Sequence, residues 1–245
     1  MAGGGLTMLV LGIETATDRV GVAIGDHQGM RALFEATLGR RHAETVAPAV
    51  DFVRRHADVD LRDLSAIAVD VGPGLFTGLR VGLATAKTLA QALELPMIGL
   101  NSLEVLAHPL RRTGLRSAQI IASVVDGRKG QVFFAFFRAD DGDIRQLVEP
   151  RAGSIEDLVV AIDDRGQDVL CVGDGALRYG AEISASRFAT IGDSFEAHPS
   201  VASLVYLATS KARRQEFTDH NEMNALYLRR PDAEINWATR SGVTT

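Results

Sequence analysis

The chain has 245 residues, a formal net charge of −5 at pH 7, 46% hydrophobic residues and one cysteine, Cys171. This composition is typical of a globular protein and excludes a disordered chain. The negative charge gives no overall electrostatic basis for direct nucleic-acid binding, and a lone cysteine excludes an intrachain disulfide.

The apolar runs are shorter than the roughly 18 residues that suggest a membrane-spanning helix. Residues 1–7 also lack the basic segment with which a secretory signal begins. A single cysteine suits a reducing compartment. We therefore expect a cytoplasmic protein that does not enter a membrane.

The first third of the chain predicts three strands, a helix, a strand and a second helix. The strands are expected at residues 8–13, 19–25, 30–37 and 65–70. Turn-forming residues at 26–29 predict a hairpin between the second and third strands. The first helix has Val46 and Val50 on one face, and we expect Pro48 in its first turn or at a kink.

The segment after the fourth strand is the most distinctive in the chain. Gly72-Pro73-Gly74 predicts a tight turn, and a helix is expected from Thr77 to Leu93. Small residues recur every four positions along one helix face, at Gly78, Gly82, Ala86 and Ala90. Because a glycine inside a helix costs about 1 kcal/mol relative to alanine, this face must admit a very close neighbour.

Two interpretations of this small-residue stripe remain open: it packs on the protein's own sheet, or it receives a helix from a partner. We favour the second and expect the helix to be the main association surface. The expected contact residues are Gly78, Leu79, Val81, Gly82, Leu83, Ala86 and Ala90. The preceding turn also admits an anion at the helix N-terminus, although a rigid turn that sets the helix angle is the simpler interpretation.

The second half repeats the same order of elements. Strands are expected at residues 118–125, 131–138, 144–148 and 168–172, with helices at 155–162 and 201–214. Glu14 and Asp126 each end the first strand of their half, and a glycine-flanked turn follows the fourth strand in both. Such a duplication is the layout of the actin-like ATPase (ASKHA, ribonuclease H-like) fold, an α/β fold with two lobes. We place the lobes at residues 1–107 and 108–245, the second including the C-terminal helix and tail.

Three segments together resemble the TsaB (YeaZ) family: residues 11–17, residues 72–82 and the late Tyr227-Leu228-Arg229. The resemblance extends over about residues 8–230. It implies a non-catalytic scaffold subunit of the bacterial complex that attaches threonylcarbamoyl to a tRNA adenosine beside the anticodon. The implied partners are the catalytic paralogue TsaD, the ATPase TsaE, a second copy of the chain, and tRNA through the complex.

The nucleotide-binding turns of the actin-like fold are expected to be vestigial here. Active members have glycine in the first turn, where phosphate approaches the backbone, and this chain has Ala16. Candidate cofactor contacts are Glu14, Thr15, Asp126 and Arg128. We expect no cofactor on the chain alone, and ATP or ADP at a subunit junction of the complex is left open.

Other chemistries have little support in the sequence. No two of the six histidines lie three to five residues apart, so no metal site is expected. A nucleophile elbow of the Gly-x-Ser-x-Gly type is also absent, and we expect no catalytic residues. The alternatives are an independent small-molecule kinase or ATPase, or a glycoprotease-like peptidase. The basic pairs at 111–112, 213–214 and 229–230 are either solvated faces or a tRNA-facing patch.

Overall fold

The computed structural model describes residues 8–39, 41–112, 120–140 and 143–228. They form two five-stranded sheets, one from each half of the chain. In both sheets the strands of that half lie in the order third, second, first, fourth, fifth. The first three strands pair antiparallel and the last two pair parallel. The predicted duplicated actin-like fold is therefore confirmed.

The first half contains five strands and three helices. The strands are β1 (Val10–Glu14), β2 (Arg19–Asp26), β3 (Gly29–Thr37), β4 (Ala66–Gly72) and β5 (Met97–Asn101). The helices are α1 (His42–His56), α2 (Phe76–Leu93) and α3 (Ser102–Ala107). The sequence analysis predicted neither β5 nor α3, which follow α2 in the chain.

The second half has five strands and four helices. The strands are β6 (Ile120–Arg128), β7 (Gln131–Asp140), β8 (Asp143–Ser154), β9 (Val169–Val172) and β10 (Ala189–Ile191). The helices are α4 (Ile155–Asp163), α5 (Asp174–Arg178), α6 (Gly180–Ile183) and α7 (Val201–Arg213). Among the described residues, no helix is both long and apolar enough to cross a bilayer.

The last helix of each half packs on the sheet of the other half. Helix α7 places Val201, Leu204 and Val205 against the first sheet, while α3 places Leu103 and Leu106 against the second. The expected assignment of the C-terminal helix to the second lobe is therefore wrong in spatial terms. This exchange joins the two hydrophobic cores, since neither sheet is covered on both faces by its own half.

Helix α1 contains Pro48 in its interior, six residues after its first residue. The expectation that this proline lies in the first turn is wrong. Pro48 lacks the N–H that would reach the carbonyl of Glu44, and both residues lie on the exposed side of the helix, where water can satisfy that carbonyl.

The small-residue stripe of α2 faces the interior of the protein. Gly78 lies so close to the first turn that an added Cβ would overlap the backbone oxygen of Thr15, and a Cβ at Gly82 would overlap the Thr15 hydroxyl. Leu79, Ala86 and Ala90 are also buried. The expectation that this stripe receives a partner helix is therefore wrong, because the protein's own β1 turn and core occupy it.

The opposite side of α2 is the one that faces solvent. Its exposed residues are Thr77, Arg80, Ala84, Thr88, Gln91 and Ala92, and we call this set the outer face of α2. Val81 and Leu83 are half-buried and pack against the core of the first lobe. Association through α2 therefore remains a prediction for the outer face alone.

We predict that Gly78→Ala lowers the free energy of unfolding by about 1–3 kcal/mol, because the new methyl group meets a backbone oxygen that cannot rotate away. Alanine's better helix propensity opposes this loss without cancelling it. The matched control is Gly180→Ala in α6, where a Cβ would have its nearest neighbour at an ordinary 3.7 Å. Denaturant unfolding of both variants measures the difference, and equal stabilities would contradict the tight contact.

Candidate functional site

The two lobes meet where the turn after β1 approaches the β6–β7 hairpin. Arg128, in this hairpin, reaches across and places its Nη2 atom 3.4 Å from Oδ2 of Asp18. Its Nη1 atom lies 3.3 Å from Oδ2 of Asp126. Arg128, Lys129 and Gly130 all have positive φ angles, so the tight hairpin fixes the direction in which the arginine leaves the backbone.

Asp126 is the buried centre of the polar cluster in the second lobe. Its Oδ1 atom accepts a hydrogen bond from the backbone N–H of Arg128 at 2.9 Å, and its Oδ2 atom pairs with Arg178 at 3.3 Å. The backbone N–H of Asp126 in turn donates to Oδ1 of Asp174 at 2.9 Å. Burial, together with the nearby charge of Asp126, raises the pKa of Asp174 to about 6.

A cavity of about 560 Å³ opens beside this cluster, between the lobes. It is lined by Asp18, Gly39, His42, Leu75, Phe76, Thr77, Gly78 and Arg128. Helix α2 begins here, and the side chain of its N-cap residue, Leu75, makes no capping hydrogen bond. The cavity therefore combines a helix N-terminus with one arginine, which is an arrangement suited to small polar or anionic groups.

Asp18, at the end of the first turn, lines this cavity, but Glu14 and Thr15 of the same turn do not. Glu14 and Thr15 are both fully buried, and the turn is covered by the glycine-rich start of α2. Ala16 accepts a hydrogen bond from the backbone N–H of Leu75 at 2.7 Å, and an added Cβ on Gly74 would overlap the Ala16 oxygen. Of the four candidate cofactor contacts, Glu14 and Thr15 are therefore buried away from the cleft, whereas Asp126 and Arg128 lie at it.

Glu14 instead faces Asp70, which lies two residues before the end of the neighbouring parallel strand β4. Oε1 of Glu14 accepts from the backbone N–H of Ala16 at 2.7 Å. Oδ1 of Asp70 accepts from the N–H of Gly72 at 2.7 Å and from the hydroxyl of Ser102 at 2.5 Å. Burial and the adjacent Asp70 hold the pKa of Glu14 well above its usual range, and burial raises the pKa of Asp70.

The sequence analysis did not identify this carboxyl pair. The available signal was the position of the two acidic residues, each directly after an apolar strand. Because β1 and β4 pair in parallel, with Ile13 opposite Val69, the next residues along, Glu14 and Asp70, end side by side. Local pattern alone does not say which strands are neighbours.

The remaining candidate residues contribute no reactive centre. Within the described segments, no three His, Cys, Asp or Glu side chains come together as a metal site. Cys171 is buried in β9, as expected, and burial raises its pKa to about 12, so it stays an unreactive thiol. Arg111 stacks on Tyr206, whereas residues 229–230 lie outside the described part of the chain.

Comparison with known proteins places the chain among tRNA-modification proteins. The family model TsaD: tRNA N6-adenosine threonylcarbamoyltransferase matches residues 36–237. The tRNA threonylcarbamoyladenosine biosynthesis protein TsaB of Bacillus subtilis (strain 168) is 28% identical over 94% of this chain and 98% of its own length. The tRNA N6-adenosine threonylcarbamoyltransferase of Erythrobacter litoralis is 38% identical over 64% of this chain, which spans 46% of that enzyme.

The structural comparison points to the same group. The solved structure of YeaZ from Pseudomonas aeruginosa superposes with a TM-score of 0.79 at 25% sequence identity. The superposition covers 90% of this chain and all of that chain. A likeness over 90% of the chain therefore includes both lobes.

We predict that Asp174→Asn stabilises the protein increasingly as the pH rises from about 4 to 7. The raised pKa of about 6 means that native Asp174 favours its neutral form, so its contribution to stability is complete below about pH 4 and is lost as the pH rises through 6. Asparagine keeps the acceptor for Asp126 without titrating. The expected gain at pH 7 is on the order of 1–3 kcal/mol.

Denaturant unfolding at several pH values measures this gain. The matched control is Asp168→Asn, which removes the same charge from an exposed side chain and should leave the pH profile of the wild type nearly unchanged. A pH profile of Asp174→Asn that runs parallel to that of the wild type would show that the folded protein does not raise the pKa of Asp174.

Proposed function

The chain belongs to the TsaB (YeaZ) family and takes part in tRNA threonylcarbamoyladenosine biosynthesis, and on that premise we propose that it is the non-catalytic scaffold subunit of the modifying complex. In this role it would pair with a TsaD-type catalytic paralogue and, through the complex, meet a TsaE-type ATPase and tRNA. A homodimer in the absence of the paralogue and a cytoplasmic location belong to the same proposal.

The closed first turn is the observation that carries this proposal. In the actin-like fold, a phosphate approaches the turn after the first strand. Here Glu14 and Thr15 are fully buried in that turn, and α2 covers them. A phosphate would therefore have to displace the helix before it reached the backbone, which argues against nucleotide turnover by the chain alone.

The outer face of α2 supports the association role. Its exposed residues are small or uncharged, with the exception of Arg80. This arginine stacks on Phe76, and its guanidinium carbon lies 3.7 Å from the ring centroid. The adjacent helix α1 adds Phe52, which is 44% exposed. Two helices of a partner can pack on such a surface, which combines small, uncharged residues with an exposed aromatic ring on the adjacent helix. ATP or ADP at such a junction belongs to the proposal as an option for the assembled complex.

The rival is an enzyme that acts alone, as a transferase, a kinase or a peptidase. The family model carries the name of a transferase, but the chain spans less than half of the transferase from Erythrobacter litoralis. Nucleoside analysis of tRNA after incubation with the purified chain, the paralogue, or both distinguishes the scaffold role from an enzyme that acts alone. We expect modification only when the paralogue is present and a marked loss when this chain is omitted. Modification by the chain alone would refute the scaffold role.

We predict that Ala84→Arg abolishes stable pairing with the catalytic paralogue while leaving the chain folded. Ala84 is exposed on the outer face of α2, so an arginine there costs no internal packing but obstructs a closely approaching partner. The matched control is Ala181→Arg on the exposed surface of α6. Sedimentation of each variant with the paralogue provides the measurement, and wild-type pairing by a folded Ala84→Arg chain would remove this face from the interface.

We also predict that Arg128→Ala leaves the fold intact but weakens the modifying activity of the reconstituted complex. The Arg128–Asp18 pair is 42% and 38% exposed, and the buried Asp126 keeps Arg178 as a partner, so the substitution should cost on the order of 1 kcal/mol of stability. The same loss removes the ion pair that spans the cleft, so the lobes are held less firmly. Arg62→Ala, another exposed arginine, is the control, and full activity of the Arg128 variant would contradict the prediction.

A further inference from the structure

We propose that Glu14 and Asp70 bind one proton between them, and that this proton fastens the β1 turn to the Gly-Pro-Gly turn, so that its loss at rising pH releases the start of α2. The device is independent of the scaffold role, because it concerns the fold of the first lobe. It also assigns a use to a buried carboxyl pair that takes no part in the cleft.

Within the described part of the chain, one oxygen of each carboxyl group has no hydrogen-bond donor. Oε2 of Glu14 and Oδ2 of Asp70 are completely buried and receive no donor from the rest of the described chain. Glu14 and Asp70 directly follow Ile13 and Val69, which are paired on neighbouring parallel strands, so the two side chains leave the same face of the sheet side by side. Two ionised carboxylates cannot satisfy each other, whereas an acid and a carboxylate can, because the acid supplies the missing O–H donor.

The surrounding donors decide which residue carries the proton. Asp70 accepts from the N–H of Gly72 and from the hydroxyl of Ser102, and these two donors favour its ionised form. Glu14 accepts from the N–H of Ala16 alone. We therefore assign the proton to Glu14, which donates it to Oδ2 of Asp70.

No cation among the described residues is paired with either carboxyl group of this pair. His42 of α1 reaches the same turn, but its Nε2 atom donates to the carbonyl oxygen of Thr17 at 2.7 Å. Among the described residues, Asp70 of β4 and Glu35 of β3 are the charged groups that act on Glu14, and both disfavour its ionisation. Glu35 is itself paired with Arg19 of β2 at 3.5 Å. The residues of α2 that face the turn are glycines, and α7 contributes Val201 and other apolar side chains on the opposite face of the sheet.

The pair lies where several connections of the first lobe converge. Glu14 holds the N–H of Ala16, whose carbonyl accepts the N–H of Leu75 immediately before α2. Asp70 holds the Gly-Pro-Gly turn through Gly72 and the first residue of α3, Ser102. When Glu14 releases its proton to solvent, two buried carboxylates repel each other across this junction, and the contact between the β1 turn and α2 weakens.

The direction of the pH effect follows from the raised pKa of Glu14. The neutral acid stabilises the fold fully below the pKa of an unfolded glutamate, and this stabilisation is lost progressively as the pH rises towards the native value. Glu14→Gln supplies a permanent donor to Asp70 and keeps the acceptor for Ala16. We therefore expect the folding equilibrium constant of the wild type, divided by that of Glu14→Gln, to fall by up to tenfold per pH unit in this range.

The test measures unfolding of the wild type and Glu14→Gln between pH 5 and pH 9, with hydrogen exchange at the amide of Leu75 as the local readout. The control, Glu182→Gln, removes an exposed glutamate and should follow the wild type. Asp70→Asn should be less stable than Glu14→Gln, because it leaves the charge on the residue that has one donor. Faster Leu75 exchange in the wild type than in Glu14→Gln at high pH, after correction for the intrinsic rate, supports the proposal.

A direct measurement keeps the proposal falsifiable if Glu14→Gln does not fold. Carbon-13 NMR of glutamate-labelled wild-type protein should show a carboxyl group that remains protonated at pH 7. Glu104 also has a raised pKa, and the Glu104→Gln variant identifies its resonance. Ionisation of every glutamate at pH 7, or parallel pH profiles for the wild type and Glu14→Gln, would overturn the proposal.

Discussion

The close approach of α2 to the β1 turn is the constraint on which the rest of the first lobe depends. Gly74, Gly78 and Gly82 have no side chains. The backbone of Ala16 fills the space that a Cβ atom on Gly74 would need, and the backbone and hydroxyl of Thr15 fill it at Gly78 and Gly82. This contact buries Glu14 against Asp70 and orients α2 so that its other side faces solvent. The packing of α2 on the β1 turn therefore covers the position where a phosphate approaches in the actin-like fold. It also leaves exposed the surface that we propose for association.

The turn after the first strand has a different environment in each half of the duplication. In the first half, the turn after β1 lies beneath a helix and carries a buried carboxyl pair. In the second half, the hairpin after β6 remains at the cleft, where Asp126 is surrounded by Arg128 and Arg178. Buried charges need partners, and the two turns meet this need in different ways: one by a shared proton, as we propose, and one by arginines.

The exchange of the terminal helices makes the lobes dependent on each other. Helix α3 follows the first sheet in the chain but packs on the second, and α7 follows the second sheet but packs on the first. Ser102, at the start of α3, is also hydrogen-bonded to Asp70. A change at the buried carboxyl pair therefore has a physical connection to the second lobe, which a division of the chain at residue 107 does not reveal.

The sequence by itself determined the first four strands of each half, the helices α1, α2, α4 and α7, the duplication and the family, because these depend on local periodicity and on motifs such as Gly72-Pro73-Gly74. It did not determine which side of α2 faces inward. A helix with small residues on one face and leucines beside them satisfies either a sheet or a partner helix, and the choice depends on distant residues such as Thr15. Strand neighbours and the positions of α3 and α7 likewise depend on long-range burial, so the tertiary structure alone brought Glu14 to Asp70 and Asp18 to Arg128.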